Sequence, residues 1–257
     1  MPTDKIPLSI VIITKNAASQ LGACLESVRF AAEVVVIDSG SEDGTVALAQ
    51  AAGARVIAHT WLGFGRQKQF AVNAAKHDWV LCLDADERVT PSLEASICKA
   101  FQDIMQSSTT QFAWRMPRRN SFLGRWLKHG EGYPDYSLRL FNRNHAAWSN
   151  DEVHETVITT SSIGTLQGDL LHDSAETVEA YLTKQNRYSS LHAQALYDQG
   201  VRVSYSKMLV SPAARFVKFY FLRLGFLDGG AGFAHIVIGC FAAFSKYAKL
   251  IELSRKP

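Results

Sequence analysis

Cysteine is scarce in this chain: its 257 residues include four, and no two of them have CxxC spacing. This excludes a zinc-ribbon motif and the disulfide framework of a small secreted domain, and it indicates a reducing compartment. Proline and charge are also modest, at seven residues and 20%, whereas 47% of residues are hydrophobic. Disordered, collagen-like and polytopic membrane proteins differ from this chain in their content of proline, charged or hydrophobic residues. We therefore expect a globular α/β domain with an appended segment.

Long hydrophobic runs are missing as well. The apolar run at residues 6–13 follows Asp4 and leads into Thr14, Lys15 and Asn16 instead of a small-residue cleavage site, which predicts a buried strand and no secretory signal. In the tail, the uncharged residues 229–245 fall short of the roughly 20 predominantly apolar residues that a spanning helix needs.

Charge is divided unevenly along the chain. Residues 1–200 contain 18 Lys or Arg and 22 Asp or Glu, a net −4, whereas residues 201–257 contain nine and two, a net +7. The two parts therefore present different surfaces, and we expect a boundary near residue 200.

Strand and helix patterns alternate over the first 110 residues. Apolar, mostly β-branched runs typical of buried parallel strands occur at residues 8–13, 33–37, 54–58 and 79–83. Helical spacing separates them, at residues 17–29, 41–52 and 64–76. Thr90 opens a predicted helix over 91–101, residues 112–170 have the pattern of strands and loops, and 175–199 is a predicted helix. The alternation predicts a doubly wound α/β sheet.

Polar side chains follow three of the predicted strands. Thr14 ends the first, Asp38 the second, and Asp84 and Asp86 the fourth. Because ligands of such sheets bind beyond the carboxyl ends of the strands, these residues predict one crevice.

Asp84, Asp86 and Glu87 crowd the end of the fourth strand. Residues two apart in a pleated strand share a face, so Asp84 and Asp86 together predict a site for Mg²⁺ or Mn²⁺ that leaves positions for phosphate. A solvated turn is the alternative, and the buried strand that precedes the acids favours the metal site.

The turn after the second strand reads Asp-Ser-Gly-Ser-Glu-Asp-Gly-Thr, at residues 38–45. Gly40 permits a tight turn, and Ser41 is expected to cap the next helix. Asp38 is then left facing the crevice, where it is able to accept hydrogen bonds from a base or ribose. A capped turn alone explains Gly40 and Ser41, but it does not explain Asp38 at the sheet edge.

Taken together, Thr-x-Asn after the first strand, the 38–45 turn and Leu-Asp-Ala-Asp-Glu at 83–87 resemble the family 2 glycosyltransferases, enzymes of the GT-A fold that use nucleotide-diphosphate sugars. Other segments look like the lipopolysaccharide core-biosynthesis glucosyltransferase branch of that family. These segments are residues 61–71, 139–141, 153–155 and 225–229.

The resemblance implies a role for each matching residue. Thr14 and Asp38 would hold the nucleotide, with Asp38 facing the uracil. Asp84 would lie by the ribose and the metal, and Asp86 would ligate the Mg²⁺ or Mn²⁺ that bridges the diphosphate.

Three further residues have less specific implied roles. Arg66 and Lys68 would lie near the phosphates or the base, and a solvated basic helix face is the alternative for both. His172 is implied as a further metal ligand. His154 competes for that role, and a structural histidine is the alternative.

An inverting transfer also needs a carboxylate that takes the proton of the acceptor hydroxyl. The acidic candidates outside the crevice are Asp135, Asp151, Glu152 and Glu155. The resemblance of Val-His-Glu favours Glu155 as the base, with Asp151 next. Arg139 is expected either to contact phosphate or acceptor, or to tie the subdomain together.

A helical wheel over residues 212–227 places Arg215, Lys218 and Arg223 in one arc, with aromatic residues and leucines around the rest. This predicts a basic amphipathic helix that lies in the headgroup region of an anionic membrane. A helix packed on the catalytic domain is the alternative. A nucleic-acid partner is not expected, because residues 1–200 are acidic and lack a recognition module.

The whole sequence predicts a GT-A catalytic domain over 1–200, with a nucleotide-binding half over about 1–110 and an acceptor half over about 111–200. A membrane-associating helical extension would follow over 201–257. By resemblance, the protein would transfer a hexose, glucose from UDP-glucose, with inversion, onto a lipid-linked saccharide such as the lipopolysaccharide inner core. It would act at the cytoplasmic face of the membrane.

Two other functions remain open. A sugar nucleotidyltransferase shares the fold, but it needs a glycine-rich basic loop after the first strand, where this chain has Thr-Lys-Asn-Ala-Ala-Ser. The other is a non-catalytic membrane scaffold that binds nucleotide sugars.

Overall fold

The computed structural model describes residues 5–106, 109–150, 155–174 and 177–255. It contains two compact units. The first comprises the residues up to Arg118 together with Tyr136–His172, and the second comprises Arg119–Asp135 and the residues from Asp173 onward. The sequence placed a boundary near residue 200, whereas the structure groups the helix before that point with the second unit. The division into a catalytic domain and an extension stays a prediction.

Parallel strands form one half of the main sheet. They are β1 (Ile6–Thr14), β2 (Ala31–Asp38), β3 (Arg55–Ala58) and β4 (Trp79–Asp84). The connecting helices are α1 (Ala18–Glu26), α2 (Thr45–Ala51) and α3 (Phe64–Ala74). The strands lie in the order β3-β2-β1-β4, and all three pairs are parallel. The predicted alternation is confirmed.

The rest of the sheet is mixed. The chain continues through β5 (Glu87–Val89), α4 (Pro91–Met105), β6 (Ala113–Phe122), β7 (Arg125–Trp126), β8 (Asp135–Asn142), β9 (Ala146–Trp148), β10 (Val157–Thr159), β11 (Ile163–Thr165) and β12 (Leu170–His172). Strand β8 pairs antiparallel with β4, and β6, β12 and β5 follow it in the sheet. Strands β9 and β10 form a separate antiparallel pair.

The apolar runs face both ways because helices cover both sides of the parallel strands. On one face Ile10 and Ile12 of β1 pack in a cluster with Leu21 of α1, and all three are fully buried. On the other face Val11 of β1 packs in a cluster with Val72 of α3. A strand covered on both faces has no reason to alternate apolar and polar residues, which is why these strands are continuously hydrophobic.

Two predicted helix starts have different outcomes. Thr90 does cap α4, because its hydroxyl oxygen accepts a hydrogen bond from the Leu93 N–H at 3.3 Å. The expectation that Ser41 caps α2 is wrong. Helix α2 begins at Thr45, and Asp43 accepts a hydrogen bond from the Thr45 N–H at 2.9 Å.

The second unit is mainly helical. Its helices are α5 (Val178–Asp198), α6 (Tyr205–Phe216), a π-helical stretch (Val217–Leu222), a 3₁₀ turn (Gly225–Asp228) and α7 (Gly229–Leu253). Helix α5 confirms the helix predicted over 175–199. The helix predicted over 212–227 is wrong in its bounds. Pro212 lies inside α6, and the helical stretch ends at Leu222, because Leu224 is left-handed with φ 55°.

The basic arc predicted for this region is also reduced. Lys218 and Arg223 are exposed, but Arg215 is half-buried and forms an ion pair with Glu131. Burial lowers the pKa of Arg215 below its ordinary value.

One stretch of the described chain, Gly225–Leu253, is long and apolar enough to cross a membrane by length and composition. The expectation that the tail is too short for this is wrong by that criterion. The expectation considers only the uncharged residues 229–245, whereas helix α7 continues past Lys246 and Lys249 to Leu253.

Asp228 joins the 3₁₀ turn to a loop of the same unit. The side chain is 2% exposed, and its Oδ2 accepts hydrogen bonds from the N–H groups of Lys128 at 2.9 Å and His129 at 2.8 Å. The Nδ1 atom of His129 lies 3.1 Å from Oδ1. The Gly-Phe-Leu-Asp-Gly segment, which the sequence linked to a family branch, thus has a structural role here.

Replacing this carboxylate provides a test of that role. We expect Asp228→Ala to lower the free energy of unfolding by about 2 kcal/mol, because two main-chain N–H groups lose their acceptor. Asp198→Ala, at the exposed end of α5, is the control and should change stability by less than about 0.5 kcal/mol. Urea unfolding followed by circular dichroism measures both, and equal losses would contradict the role given to Asp228.

Candidate active site

The ends of the parallel strands meet as predicted. Thr14 and Asp38 are register partners in the β1–β2 pair, and Ile13 is the partner of Asp84 in the β1–β4 pair. The polar residues at the ends of β1, β2 and β4 therefore lie along one edge of the sheet.

Asp38 organises the turn that follows β2. Its Oδ2 accepts hydrogen bonds from the N–H groups of Gly40 at 3.0 Å and Ser41 at 2.9 Å. Its Oδ1 accepts from the hydroxyls of Thr14 at 3.1 Å and Ser41 at 2.5 Å. A carboxylate has about four acceptor positions, and this one uses four. Asp38 is thus not left facing the crevice as expected, and its contact with a base stays a prediction.

These hydrogen bonds also set the charge of Asp38. Burial acts to raise the pKa of the carboxyl, but the hydrogen bonds from Ser41, Thr14 and Gly40 outweigh it and hold the pKa below its ordinary value. The group is therefore ionised at neutral pH, which suits its role as an acceptor for the turn.

Gln67 supports the same turn, and sequence reasoning missed it. The side chain is fully buried, and its Nε2 donates to the hydroxyl oxygen of Ser39 at 3.0 Å. Its Oε1 lies 3.2 Å from Nδ1 of His59. A glutamine between two basic residues of a predicted helix was the available signal. Arg66, one of those two, is exposed on α3.

Lys68, the other basic residue, lies inside the site. Its ammonium is 3.1 Å from Oδ1 of Asp84 and 3.2 Å from Oε1 of Glu155. The lysine is 6% exposed and lies over the ring of Trp148, at 4.9 Å from the ring centroid. The structure therefore brings together three residues for which separate roles were predicted, and the solvated-face alternative does not hold for Lys68.

A buried arginine holds the end of β4. Arg139 donates to Oδ2 of Asp84 at 2.7 Å and to Oε1 of Glu87 at 2.7 Å. Glu87 is fully buried, and it also accepts from the Asp84 N–H at 3.0 Å. Of the two roles expected for Arg139, these contacts correspond to tying the subdomain together.

The charges of this group reinforce one another. Burial acts to raise the pKa of Asp84, but Arg139 and Lys68 outweigh it and hold the pKa far below its ordinary value. Burial acts to lower the pKa of Arg139, but Glu87 and Asp84 outweigh it and raise the pKa. Asp84 and Arg139 are therefore both charged at neutral pH.

Asp86 has a different partner from Asp84. Its Oδ2 lies 3.3 Å from Nε2 of His172, because β12 pairs antiparallel with β5 and places His172 opposite Glu87. The expectation that Asp84 and Asp86 share a strand face is wrong. Strand β4 ends at Asp84, so the two-residue period does not extend to Asp86.

A divalent cation fits Asp86 and His172 as part of its ligand set. A carboxylate oxygen and an imidazole nitrogen suit Mn²⁺, and a diphosphate would supply further oxygens. No group of three or more His, Cys, Asp or Glu that could hold a metal occurs among the described residues. Asp84 suits the metal less well, since both of its oxygens face cations.

A cavity of about 400 Å³ opens beside these residues in the first unit. It is lined by Lys68, Asp84, Arg118, Tyr136, Ser137, Leu138, Arg139, Trp148, Glu155, Thr156 and Val157. It thus joins the end of β4 to the candidate base. The other predicted base, Asp151, and the competing metal ligand, His154, lie outside the described residues.

Similarity to known proteins defines the class. Residues 9–154 match the sequence profile described as Glycosyl transferase family 2. The lipopolysaccharide core biosynthesis glycosyltransferase LpsC of Rhizobium meliloti (strain 1021) is 32% identical over 255 residues, which are 96% of this chain and 93% of that protein. The uncharacterized glycosyltransferase RP128 of Rickettsia prowazekii (strain Madrid E) is 32% identical over 259 residues, at 97% and 88% coverage.

Two solved structures show a more distant likeness. The structure of S. aureus TarS 1–349 in complex with UDP-GlcNAc has a TM-score of 0.49 at 14% identity, covering 96% of this chain and 89% of that one. Glucosyl-3-phosphoglycerate synthase from Mycobacterium tuberculosis, solved with Mn²⁺, UDP and glucosyl-3-phosphoglycerate, has a TM-score of 0.38 at 21% identity. That match covers 44% of each chain, so this chain spans less than half of that protein.

The mixed sheet, with helices on both faces of its parallel half, is that of a GT-A glycosyltransferase. The chain belongs to glycosyl transferase family 2, and among its relatives is a lipopolysaccharide core biosynthesis glycosyltransferase.

The buried ion pairs of Arg139 predict a large stability effect. We expect Arg139→Met to lower the free energy of unfolding by about 3–5 kcal/mol, because Glu87 stays buried without this partner. The control is Arg29→Met, which breaks a pair with Glu26 whose side chains are 76% and 61% exposed. It should cost less than about 1 kcal/mol. Urea unfolding followed by tryptophan fluorescence measures both, and a loss below 1 kcal/mol for Arg139→Met would contradict the prediction.

Proposed function

We propose that this protein is an inverting glycosyltransferase that moves a hexose from a nucleotide-diphosphate donor, UDP-glucose, to a lipid-linked saccharide of the lipopolysaccharide inner core. The observation that carries the proposal is the position of Lys68, whose ammonium contacts Asp84 at 3.1 Å and Glu155 at 3.2 Å. A carboxylate suited to activating an acceptor thus lies beside the strand ends at which the donor is expected.

Glu155 is the proposed base. In the reaction the acceptor hydroxyl oxygen forms a bond to the anomeric carbon, the bond from that carbon to the diphosphate oxygen breaks, and the hydroxyl proton goes to a Glu155 oxygen. Lys68 orients Glu155, and the cavity beside it offers room for the acceptor sugar. Arg139 holds Asp84 in place, and the turn fixed by Asp38 forms the nucleoside end of the site.

Asp86 and His172 are the residues that would hold Mg²⁺ or Mn²⁺. When bound, the cation would neutralise the charge that develops on the departing nucleotide diphosphate. Their separation of 3.3 Å supports this pairing.

The acceptor and the location rest on the relative LpsC, which is described as a lipopolysaccharide core biosynthesis glycosyltransferase. We propose that this protein works at the cytoplasmic face of the membrane as a peripheral enzyme. The net charge of +7 over residues 201–257 supports attraction to an anionic surface.

Loss of the base should stop turnover without stopping donor binding. We expect Glu155→Gln to lower kcat for acceptor-dependent UDP release by about 10²–10⁴-fold, because the acceptor hydroxyl keeps its proton. The Kd for UDP-glucose should change less than threefold. The assay supplies detergent-solubilised inner-core lipid and measures UDP, with product mass checked by mass spectrometry.

The control is Glu94→Gln, in the first turn of α4, which should keep wild-type turnover. Full turnover by Glu155→Gln would rule out this base. UDP binding by the wild type, with no UDP release on any nucleotide sugar and acceptor tried, would favour the non-catalytic scaffold.

Metal should strengthen nucleotide binding through Asp86. We expect UDP to bind the wild type at least about tenfold more tightly with Mn²⁺ than without it, and Asp86→Ala to lose that gain. Asp78→Asn, at a side chain that is 56% exposed, is the control and should keep the gain. Isothermal titration calorimetry measures each Kd, and an unchanged Mn²⁺ effect in Asp86→Ala would overturn the assignment.

A further inference from the structure

Helix α6 and the π-helical stretch after it contain several large apolar side chains but no buried residue. Leu209 and Val210 are each 62% exposed, and Leu222 is 75% exposed. A helix on the surface of a soluble protein normally packs such residues against the core. An exposed apolar face is therefore typical of a binding surface.

Helix α7 continues the same surface. Phe233, Val237 and Phe241, which are four residues apart, form an exposed stripe along it. Phe233 also packs edge-on against Tyr220 of the π-helical stretch, with ring centroids 5.8 Å apart. We call the whole set the apolar belt. It consists of Tyr205, Leu209, Val210, Val217, Phe221, Leu222, Leu224, Phe226, Leu227, Phe233, Val237 and Phe241.

The charges around the apolar belt are basic. Lys207, Lys218 and Arg223 are exposed next to it. The two acidic residues of the tail do not offset them, because Asp228 is buried and Glu252 lies near the end of α7. Apolar side chains flanked by exposed cations complement an anionic bilayer, in which acyl chains lie beneath phosphate headgroups.

The opposite face of α7 is already occupied. Gly232, Ile236, Gly239, Ala243 and Leu250 are buried on it, and α7 packs against α5 and α6.

Two polar ties fix α7 to α5. His235 of α7 lies 3.1 Å from the hydroxyl of Tyr181. Fourteen residues further on, Lys249 donates to the hydroxyls of Ser189 at 2.7 Å and Ser190 at 2.8 Å, and to the side-chain oxygen of Asn186 at 2.7 Å. At 1.5 Å per residue, His235 and Lys249 lie about 21 Å apart along α7, most of the thickness of a bilayer core.

We propose that the apolar belt lies in the headgroup and acyl boundary of an anionic bilayer, with α7 in the membrane plane and not across it. This inference deepens the membrane association in the proposed function and rests on it. If α7 crossed the bilayer, α5 would enter with it and carry exposed Lys184 and Arg187 into hydrocarbon. The alternative is that α7 gives up the hydrogen bonds of Lys249 in a medium with no water to replace them.

Flotation on vesicles tests the surface. The wild type should float with phosphatidylcholine vesicles that contain 30% phosphatidylglycerol, and less with pure phosphatidylcholine. Phe241→Glu should lower the bound fraction at least tenfold. The control Met105→Glu replaces a residue that is 72% exposed at the end of α4, in the first unit, and should float as the wild type does. Thermal unfolding confirms that both variants are folded.

Cysteine labelling tests the orientation. With Cys98 and Cys240 replaced by serine, Ser254→Cys marks the end of α7 and Ser206→Cys marks the start of α6. Protein bound to the outside of sealed vesicles should react at both sites with a membrane-impermeant maleimide. Protection of Ser254→Cys until detergent is added would mean that α7 spans the bilayer, and it would overturn the proposal.

Absence of flotation would also overturn the proposal, and a dimer in solution that Phe241→Glu dissociates would then assign the apolar belt to a second copy of the chain. Neither result touches the proposed chemistry, because the assay of UDP release uses a detergent-solubilised acceptor. If turnover is lost while flotation is intact, the proposed function is wrong and the membrane-binding surface is not affected.

Discussion

The buried guanidinium of Arg139 is the interaction on which the candidate site depends. It holds Asp84 and Glu87 at 2.7 Å each, and it comes from β8, a neighbour of β4 in the sheet. Arg139 and Glu87 are buried charges, which are costly unless paired, and the pair between them, with the part-buried Asp84 beside it, helps to offset that cost. Lys68 extends the group to Glu155, so the acidic strand end and the candidate base are fixed by one set of ion pairs.

The parallel half of the fold could be predicted because its signals are local. Continuous β-branched runs need cover on both faces, and helices with apolar spacing between them supply it, which leaves few other arrangements for β1 to β4. The polar residues that follow those strands were found for the same reason. The partners of Asp84 could not be found in this way, since Arg139 lies 55 positions along the chain and a charged residue gives no sign of burial.

Local signals also explain the errors. The two-residue period predicted a shared face for Asp84 and Asp86, but a period holds only while the strand continues. The helical wheel began at residue 212, whereas α6 begins at Tyr205 and is capped by Ser204. In both cases the missing information was where the element began or ended.

The carboxylate of Asp38 gives the 38–45 turn a property of its own. All of its acceptor positions are taken by groups of the protein, so the turn reaches its shape during folding and needs no ligand to order it. The entropy lost in fixing this loop is then a cost of folding, and a nucleoside that docked there, as we propose, would meet a rigid surface. Selectivity at this edge would come from shape that exists in advance, with little left to induced fit.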